Sequence, residues 1–135
     1  ELSEMKPPEP TAKVLISSKE GIVFKDTLSK GEQIFSVHFN DQTIHENFVG
    51  HDVNLVRVGE KANISSLEAW MNWADPNGLI TPAPEGFTFM GGVNDMPAGS
   101  TAYFEVNLEP GTYILVSEVP NTINKNLLKT FSVPN

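Results

Sequence analysis

The chain contains no cysteine, and this absence excludes several kinds of chemistry. Disulfide bonds, thiolate nucleophiles and zinc–thiolate sites all need the cysteine sulfur. Arg57 is the single arginine, and 9 Lys+Arg stand against 17 Asp+Glu, which gives a net charge of −8. Nucleic acids and anionic lipid surfaces are bound by clustered positive charge. The composition therefore argues against both of these partners.

Long apolar runs and internal repeats are absent as well. No stretch approaches the ~18 apolar residues of a membrane-spanning helix. The length of 135 residues suits one domain with a buried core. The first residues, Glu1–Pro10, are polar and rich in proline, which is typical of a tether. We therefore predict a tether over residues 1–11 and one domain over residues 12–135.

The sequence begins at a glutamate, Glu1. An exported protein that has lost its signal peptide begins in this way, often as a spacer behind a lipid-anchored residue, and a trimmed chain looks the same. We expect a periplasmic or extracellular protein, with a lipid-anchored precursor as a further expectation.

Alternation of apolar and polar residues dominates the chain from Thr11 onward. It is clearest in Gln33–Phe39 and Thr101–Leu108, and such alternation is typical of half-buried strands. Weaker candidates between turn residues are Lys13–Ser17, Gly21–Phe24, Asp52–Val58, Phe87–Phe89, Tyr113–Val119 and Leu127–Val133. The pattern predicts an all-β Greek-key sandwich of about seven or eight strands. The residues predicted to be buried in its core are Phe35, Val37, Phe104, Val106, Leu108, Tyr113, Leu115 and Phe131.

One segment departs from the period of two. Ser65 can cap a helix, and Glu68 follows three residues later, which is the pattern of a capping box. Apolar residues then follow at helical spacing, so we predict a short helix over Ser66–Ala74 whose apolar stripe packs on the sandwich. An aromatic ligand platform built on Trp70 and Trp73 is the alternative interpretation of this segment.

The C-terminal third contains a distinctive series of glycine–proline turns and strands. Gly91-Gly92 leads through Pro97-Ala98-Gly99 to the strand Thr101–Leu108, and Glu109-Pro110-Gly111-Thr112-Tyr113 opens the next strand. This series resembles the last two core strands of cupredoxin-like domains, and Ile44-His45-Glu46 upstream is similar to the histidine corner of that family. The resemblance extends roughly from residue 13 to residue 133. It implies a cupredoxin β-sandwich, with the helix inserted where many extracytoplasmic members carry one.

In the copper-binding members of the family, Tyr-x-x-x-Cys supplies a thiolate, and a histidine and usually a methionine follow in the next loop. By this resemblance His45 matches the first histidine, and Ser117 stands where the cysteine would be. Residues 119–126 contain neither histidine nor methionine. A blue copper centre needs the thiolate and two imidazoles. We therefore expect no type 1 copper and no other cofactor, with His45 and Ser117 as vestigial ligand positions.

Another metal site remains an alternative. His45, His51 and Glu46 lie close in sequence, and imidazole with carboxylate suits Zn²⁺ or Cu²⁺. Met90 and Met96 flank Gly91-Gly92, and thioethers beside an imidazole suit Cu(I). Solvated loop histidines and core methionines would have the same sequence, so no metal is expected. If there is one, the candidate ligands are His45, His51, Glu46 and Met96.

Catalysis finds little support in the sequence. A triad of Ser117, His45 and Glu118 can be written, but neighbouring residues of a strand point to opposite faces. Neither a G-x-S-x-G elbow nor a phosphate-binding loop is present. We predict a non-enzymatic, exported binding or accessory module whose partner is a protein or a small molecule. A copper- or zinc-handling periplasmic protein is the alternative, and a hydrolase is the third.

Overall fold

The computed structural model describes residues 6–45, 50–72, 75–76 and 78–135. Its elements are β1 (Ala12–Ser17), β2 (Gly21–Phe24), β3 (Gly31–Phe39), β4 (Val53–Val58), α1 (Ile64–Trp70), β5 (Phe87–Val93), β6 (Thr101–Leu108), β7 (Gly111–Val116) and β8 (Leu128–Val133). Residues 1–5 of the predicted tether lie outside the described residues, and residues 6–10 form no helix or strand. In the part of the chain that the structure describes, no helix is long and apolar enough to cross a membrane.

The strands form two sheets of four. One has the order β2-β1-β3-β6 and the other has the order β5-β4-β7-β8. All neighbours are antiparallel except β1 and β3, which run parallel. This arrangement confirms the predicted Greek-key sandwich of cupredoxin type with one inserted helix.

Aromatic rings fill much of the space between the sheets. Phe35 on β3 is fully buried, and its ring stacks on Phe104 of β6 at 4.8 Å. Phe24 and Phe131 contact the same ring at centroid distances of 6.1 and 6.5 Å. The predicted phase of β6 is therefore right, because Phe104 points into the sandwich.

Five of the eight predicted core residues are buried, namely Phe35, Val37, Leu108, Tyr113 and Leu115. The other predicted core residues, Phe104, Val106 and Phe131, pack against the core but are only partly buried. The reason lies in the sheet order, because β6 and β8 are edge strands and each has a strand neighbour on one side only. Their inward residues therefore keep one side open to solvent.

The predicted helix exists, but its predicted boundaries are wrong. It starts at Ile64, because the Asn63 side chain caps it by accepting a hydrogen bond from the Ser66 backbone N–H at 3.3 Å. The capping box does not form, since Glu68 Oε2 accepts instead from the backbone N–H of Ile123 at 2.8 Å. Ala74 lies outside the described residues.

The helix covers the outer face of the second sheet. Its buried residue is Leu67, and the C-cap residue Met71 is buried as well. They form a second apolar cluster with Val56, Phe87, Ile114 and Val116.

Trp70 has a structural position at the end of this helix. Its indole N–H donates to the carbonyl oxygen of Thr81 at 2.9 Å, and its ring meets Phe89 edge-to-face at 5.7 Å. Trp73, the other ring of the alternative platform, lies outside the described residues.

Candidate functional site

The candidate site lies at the end of the second sheet where β7 stops and β4 starts. The register pairs Val116 with Asn54, so the residues just beyond the two strands meet. The backbone N–H of Asp52 donates to Ser117 Oγ at 2.9 Å, and the Ser117 hydroxyl donates to Asp52 Oδ1 at 3.0 Å. The Ser117 side chain is fully buried. Its oxygen therefore both accepts and donates a hydrogen bond within the protein.

The Asp52 carboxylate is the centre of this polar cluster. Besides the hydroxyl of Ser117, Oδ1 accepts the backbone N–H of Glu118 at 2.7 Å, and Oδ2 accepts the side-chain amide of Asn54 at 3.2 Å. Burial raises the pKa of Asp52, while these hydrogen bonds oppose that rise because they favour the charged form. The buried carboxylate is thus compensated by three neighbouring groups.

A second polar cluster lies immediately before β4 and contains two of the candidate histidines. His51 is fully buried, and its Nε2 lies 3.0 Å from the carbonyl oxygen of Asp41. A carbonyl can only accept, so Nε2 carries the proton and Nδ1 of the neutral ring presents a lone pair. His45 Nε2 lies 3.2 Å from that Nδ1, which makes His45 the donor.

The Gln42 side chain holds the backbone of His51. Its Oε1 accepts the backbone N–H of His51 at 2.9 Å, and its Nε2 donates to the His51 carbonyl oxygen at 3.0 Å. The same Nε2 donates to the carbonyl oxygen of Met96 at 2.9 Å. The Gln42 side chain therefore links the backbone of His51 to the backbone of Met96. The side chains of Met90 and Met96 both pack against the core.

The structure brings together some of the candidate residues and separates others. His45 and His51 are in contact, whereas the hydroxyl of Ser117 is bonded to Asp52. Glu46 lies outside the described residues. Within the described ranges, no group of three or more histidine, aspartate and glutamate residues is arranged to hold a metal. The role of His45 as a vestigial ligand position stays a prediction.

The Ser117–His45–Glu118 triad does not match these contacts. Ser117 donates to Asp52, and Glu118 contributes its backbone N–H to the same carboxylate. The serine oxygen is also buried, so a substrate has no direct approach to it.

Sequence reasoning missed Asp52 as the partner of Ser117. The two residues are 65 positions apart, and their contact follows from the pairing of β4 with β7. Only the register of these two strands could have revealed it.

The pKa of the Glu118 side chain is raised in the folded protein. Burial first, and then the charges of Asp52 and Asp95, raise its pKa from 4.5 to about 7. The folded protein therefore binds a proton here more tightly than the unfolded chain does. The stabilising contribution is complete below about pH 4.5 and is lost as the pH rises through about 7.

We expect Glu118→Gln to remove this pH dependence. The variant and the wild type should be about equally stable near pH 4. As the pH rises, the variant should become more stable than the wild type. Because Glu118 is only partly buried and solvent screens its charge, the gain in stability at about pH 9 should be about 1 kcal/mol. Urea unfolding of both proteins across this range measures the difference, and a constant difference would contradict the raised pKa. Glu105→Gln, on an exposed side chain of β6, is the matched control.

Neither the protein-family models nor the curated proteins give a match. Solved structures do match. Reduced auracyanin from the photosynthetic bacterium Roseiflexus castenholzii gives a TM-score of 0.59 at 13% identity, over 91% of this chain and 95% of that one. The azurin Az-iso2 of the methylotroph Methylomonas sp. strain J gives 0.57 at 11% identity, over 90% and 94%. The chain has the cupredoxin fold.

The copper centre implied by the cupredoxin resemblance does not fit the residues present. The chain contains no cysteine, and Ser117 stands at the position that the resemblance gives to the thiolate. Its hydroxyl is a hard donor, and both of its hydrogen-bonding capacities are already used by Asp52. Type 1 copper needs a soft thiolate, so a centre of this type has no sulfur ligand to form it.

Proposed function

We propose that this protein is a non-catalytic, exported binding or accessory module that uses the cupredoxin fold without type 1 copper. The observation that supports the proposal most directly is the pairing of Ser117 with Asp52. Where type 1 copper would need a thiolate ligand, the chain has a buried hydroxyl that both accepts and donates a hydrogen bond within the protein. The buried, hydrogen-bonded hydroxyl supports the absence of type 1 copper and of a serine nucleophile at this position.

The proposed partner is a protein or a small molecule. The net charge of −8 disfavours anionic partners, because repulsion opposes their approach. The proposed location is the periplasm or the cell exterior, with a lipid-anchored precursor. The helix α1 supports export, since it interrupts the sandwich where extracytoplasmic cupredoxin-like domains carry an inserted helix. Fractionation of cells that make the full-length precursor tests this location, and retention in the cytoplasm would contradict it.

Copper loading tests the proposed loss of the redox centre. We expect the protein mixed with Cu²⁺ to lack the intense visible thiolate-to-copper absorption and to show no reversible one-electron couple of the blue-copper kind. An absorption spectrum and a voltammogram are the measurements. A strong visible band in the wild-type protein would refute the proposal.

The variant Ser117→Cys tests whether a sulfur ligand alone is enough to form type 1 copper. It supplies a sulfur, but residues 119–126 still contain neither histidine nor methionine. We therefore expect that this variant alone does not acquire a blue-copper spectrum.

A further inference from the structure

We propose that the exposed edge of β6 binds an extended segment of a partner protein, and that this segment carries lysine or arginine at alternate positions. The segment adds to the four-stranded sheet as a further strand, antiparallel to β6, and places its basic side chains over Glu32 and Glu105. The site deepens the proposed function and rests on it, since it names the surface with which the module binds a protein.

The edge of β6 presents backbone groups that have no partner strand. In the described part of the chain, β3 is the one strand beside β6. Ile34 of β3 uses both of its backbone groups on the opposite side, where its carbonyl oxygen accepts the Thr11 N–H and its N–H donates to Thr11 Oγ1, both at 2.9 Å. Glu105 lies opposite Ile34 in the register, so the N–H and carbonyl groups of Glu105 point away from β3. Because this pattern alternates along the strand, the backbone groups of Tyr103 and Asn107 do the same.

β6 also lacks the features that usually keep an edge strand from pairing, which are short length, lysine, proline and bulges. Each of the other three edge strands among the described residues has one of them. β2 has only four residues, β5 has a register shift against β4, and β8 carries the exposed Lys129. β6 has eight residues without lysine or proline, and its register with β3 is regular. A further strand can therefore pair along its whole length.

Two acidic side chains beside this edge determine the charge of the partner. Glu32 and Glu105 are exposed, and with Ile34 and Asn107 they line a groove of about 450 Å³. Glu32 lies opposite Asn107 and Ile34 lies opposite Glu105, so the two glutamates are diagonal neighbours on the outer face of the sheet. Among the residues that the structure describes, neither carboxylate forms an ion pair. A lysine or arginine of an added strand can reach this groove and pair with them.

A second copy of this chain is the alternative occupant, since two β6 strands can pair edge to edge. That arrangement brings together two molecules that each carry a net charge of −8, and their repulsion opposes it. A basic segment is attracted by the same charge. Charge complementarity therefore favours a different protein as the partner.

A synthetic peptide as long as β6, with lysine and threonine in alternation, is the probe for this site. In the antiparallel pairing, residues that lie opposite each other share a face, so the lysines lie over Glu32 and Glu105. We expect the peptide to bind and to shift the backbone amide NMR signals of Tyr103, Glu105 and Asn107. The affinity should fall as NaCl is added, because salt screens exposed charges. A peptide with glutamate in place of lysine should not bind.

Methylation of the peptide nitrogens separates strand pairing from simple charge attraction. When the lysines lie over the two glutamates, the lysine N–H groups donate to β6 and the threonine N–H groups face away from it. A peptide that is N-methylated at every lysine should therefore lose binding, whereas one that is N-methylated at every threonine should keep it. The two peptides have the same charge, and the protein is unchanged in this comparison.

The variants Glu32→Gln and Glu105→Gln test the acidic groove. Each should raise the dissociation constant of the lysine peptide roughly two- to five-fold, as expected for the loss of an exposed ion pair. The matched control is Glu20→Gln, an exposed position between β1 and β2 beside the opposite edge of the same sheet. This control should leave the dissociation constant unchanged.

The site is overturned if the lysine peptide does not bind, if the two methylated peptides have the same affinity, or if the glutamate peptide binds as well. Unchanged affinity in both Glu32→Gln and Glu105→Gln would also contradict it. A shift of the β6 amide signals that depends on protein concentration, without peptide, would assign the edge to a second copy instead. The proposed function is refuted by a different result, namely a thiolate-like visible band on copper loading, so the two failures are distinguishable.

Discussion

Replacing Phe35 by alanine is expected to lower the free energy of unfolding by about 3–5 kcal/mol, the usual range for a buried phenylalanine. The ring is fully buried between the sheets and contacts the rings of Phe24, Phe104 and Phe131. Alanine leaves a cavity among aromatic side chains that are attached to three other strands, β2, β6 and β8. Those strands cannot all move inward to fill it, so both the lost burial and the cavity contribute. Denaturant unfolding followed by fluorescence or circular dichroism measures the change.

The matched control for this prediction is Phe89→Ala. Phe89 lies on β5 and is 39% exposed, with Trp70 at its edge. The same chemical deletion should cost about 1–2 kcal/mol there, because the ring is only partly buried and its removal leaves no enclosed cavity. If the two variants lost equal stability, the ring of Phe35 would not be the centre of the core.

Ser117→Ala is expected to cost about 1–3 kcal/mol although it removes only one oxygen atom. The backbone N–H of Asp52 loses its acceptor, and the carboxylate of Asp52 loses one of its donors. Both groups are buried, so water does not readily replace the missing partner. The pKa of Asp52 should rise further in the variant, since one of the hydrogen bonds that lowers it has been removed.

Urea unfolding measures the loss of stability, and NMR titration of the carboxyl carbon follows the pKa of Asp52. The control is Ser132→Ala on the exposed side of β8, which should change stability by no more than about 0.5 kcal/mol. A neutral Ser117→Ala variant with an unchanged pKa at Asp52 would contradict the hydrogen-bonded pair.

The alternation of apolar and polar residues predicted most of the strands, because it shows directly which side of a strand is buried. Gly21–Phe24 and Thr101–Leu108 have the boundaries predicted from sequence. The phase of β6 is also right, since Phe104 stacks on Phe35. What the pattern could not supply was the order of the strands within the sheets, and that order leaves β6 and β8 at edges where their apolar residues are only partly buried.

The start of the helix could not be predicted from the local sequence. Ser65 and Asn63 are both good caps, and local sequence does not decide between them. The structure uses Asn63, because Glu68 is engaged by the backbone of Ile123, a residue of the distant loop after β7. A capping box needs Glu68 to turn back to its own helix, so a tertiary contact overrides the local pattern.

The candidate site was the least predictable part. His45 and His51 were recognised as candidates by residue type, but the sequence did not show which nitrogen faces which. The tautomer follows from the carbonyl of Asp41, and the partner of Ser117 follows from the β4–β7 register. Both facts depend on long-range geometry that no local pattern encodes.

The attachments of the loop after Ser117 limit how a redox centre could be engineered into this protein. Its backbone is attached on two sides, through Ile123 N–H to Glu68 and through the Asn126 carbonyl to the N–H of Ile22. Asn121 and Asn126 also have left-handed backbone conformations, with φ values of 57° and 58°. A transplanted ligand-bearing loop would have to keep these attachments and turns while it introduced a histidine and a methionine. A type 1 centre would therefore need several coordinated changes in this loop in addition to Ser117→Cys.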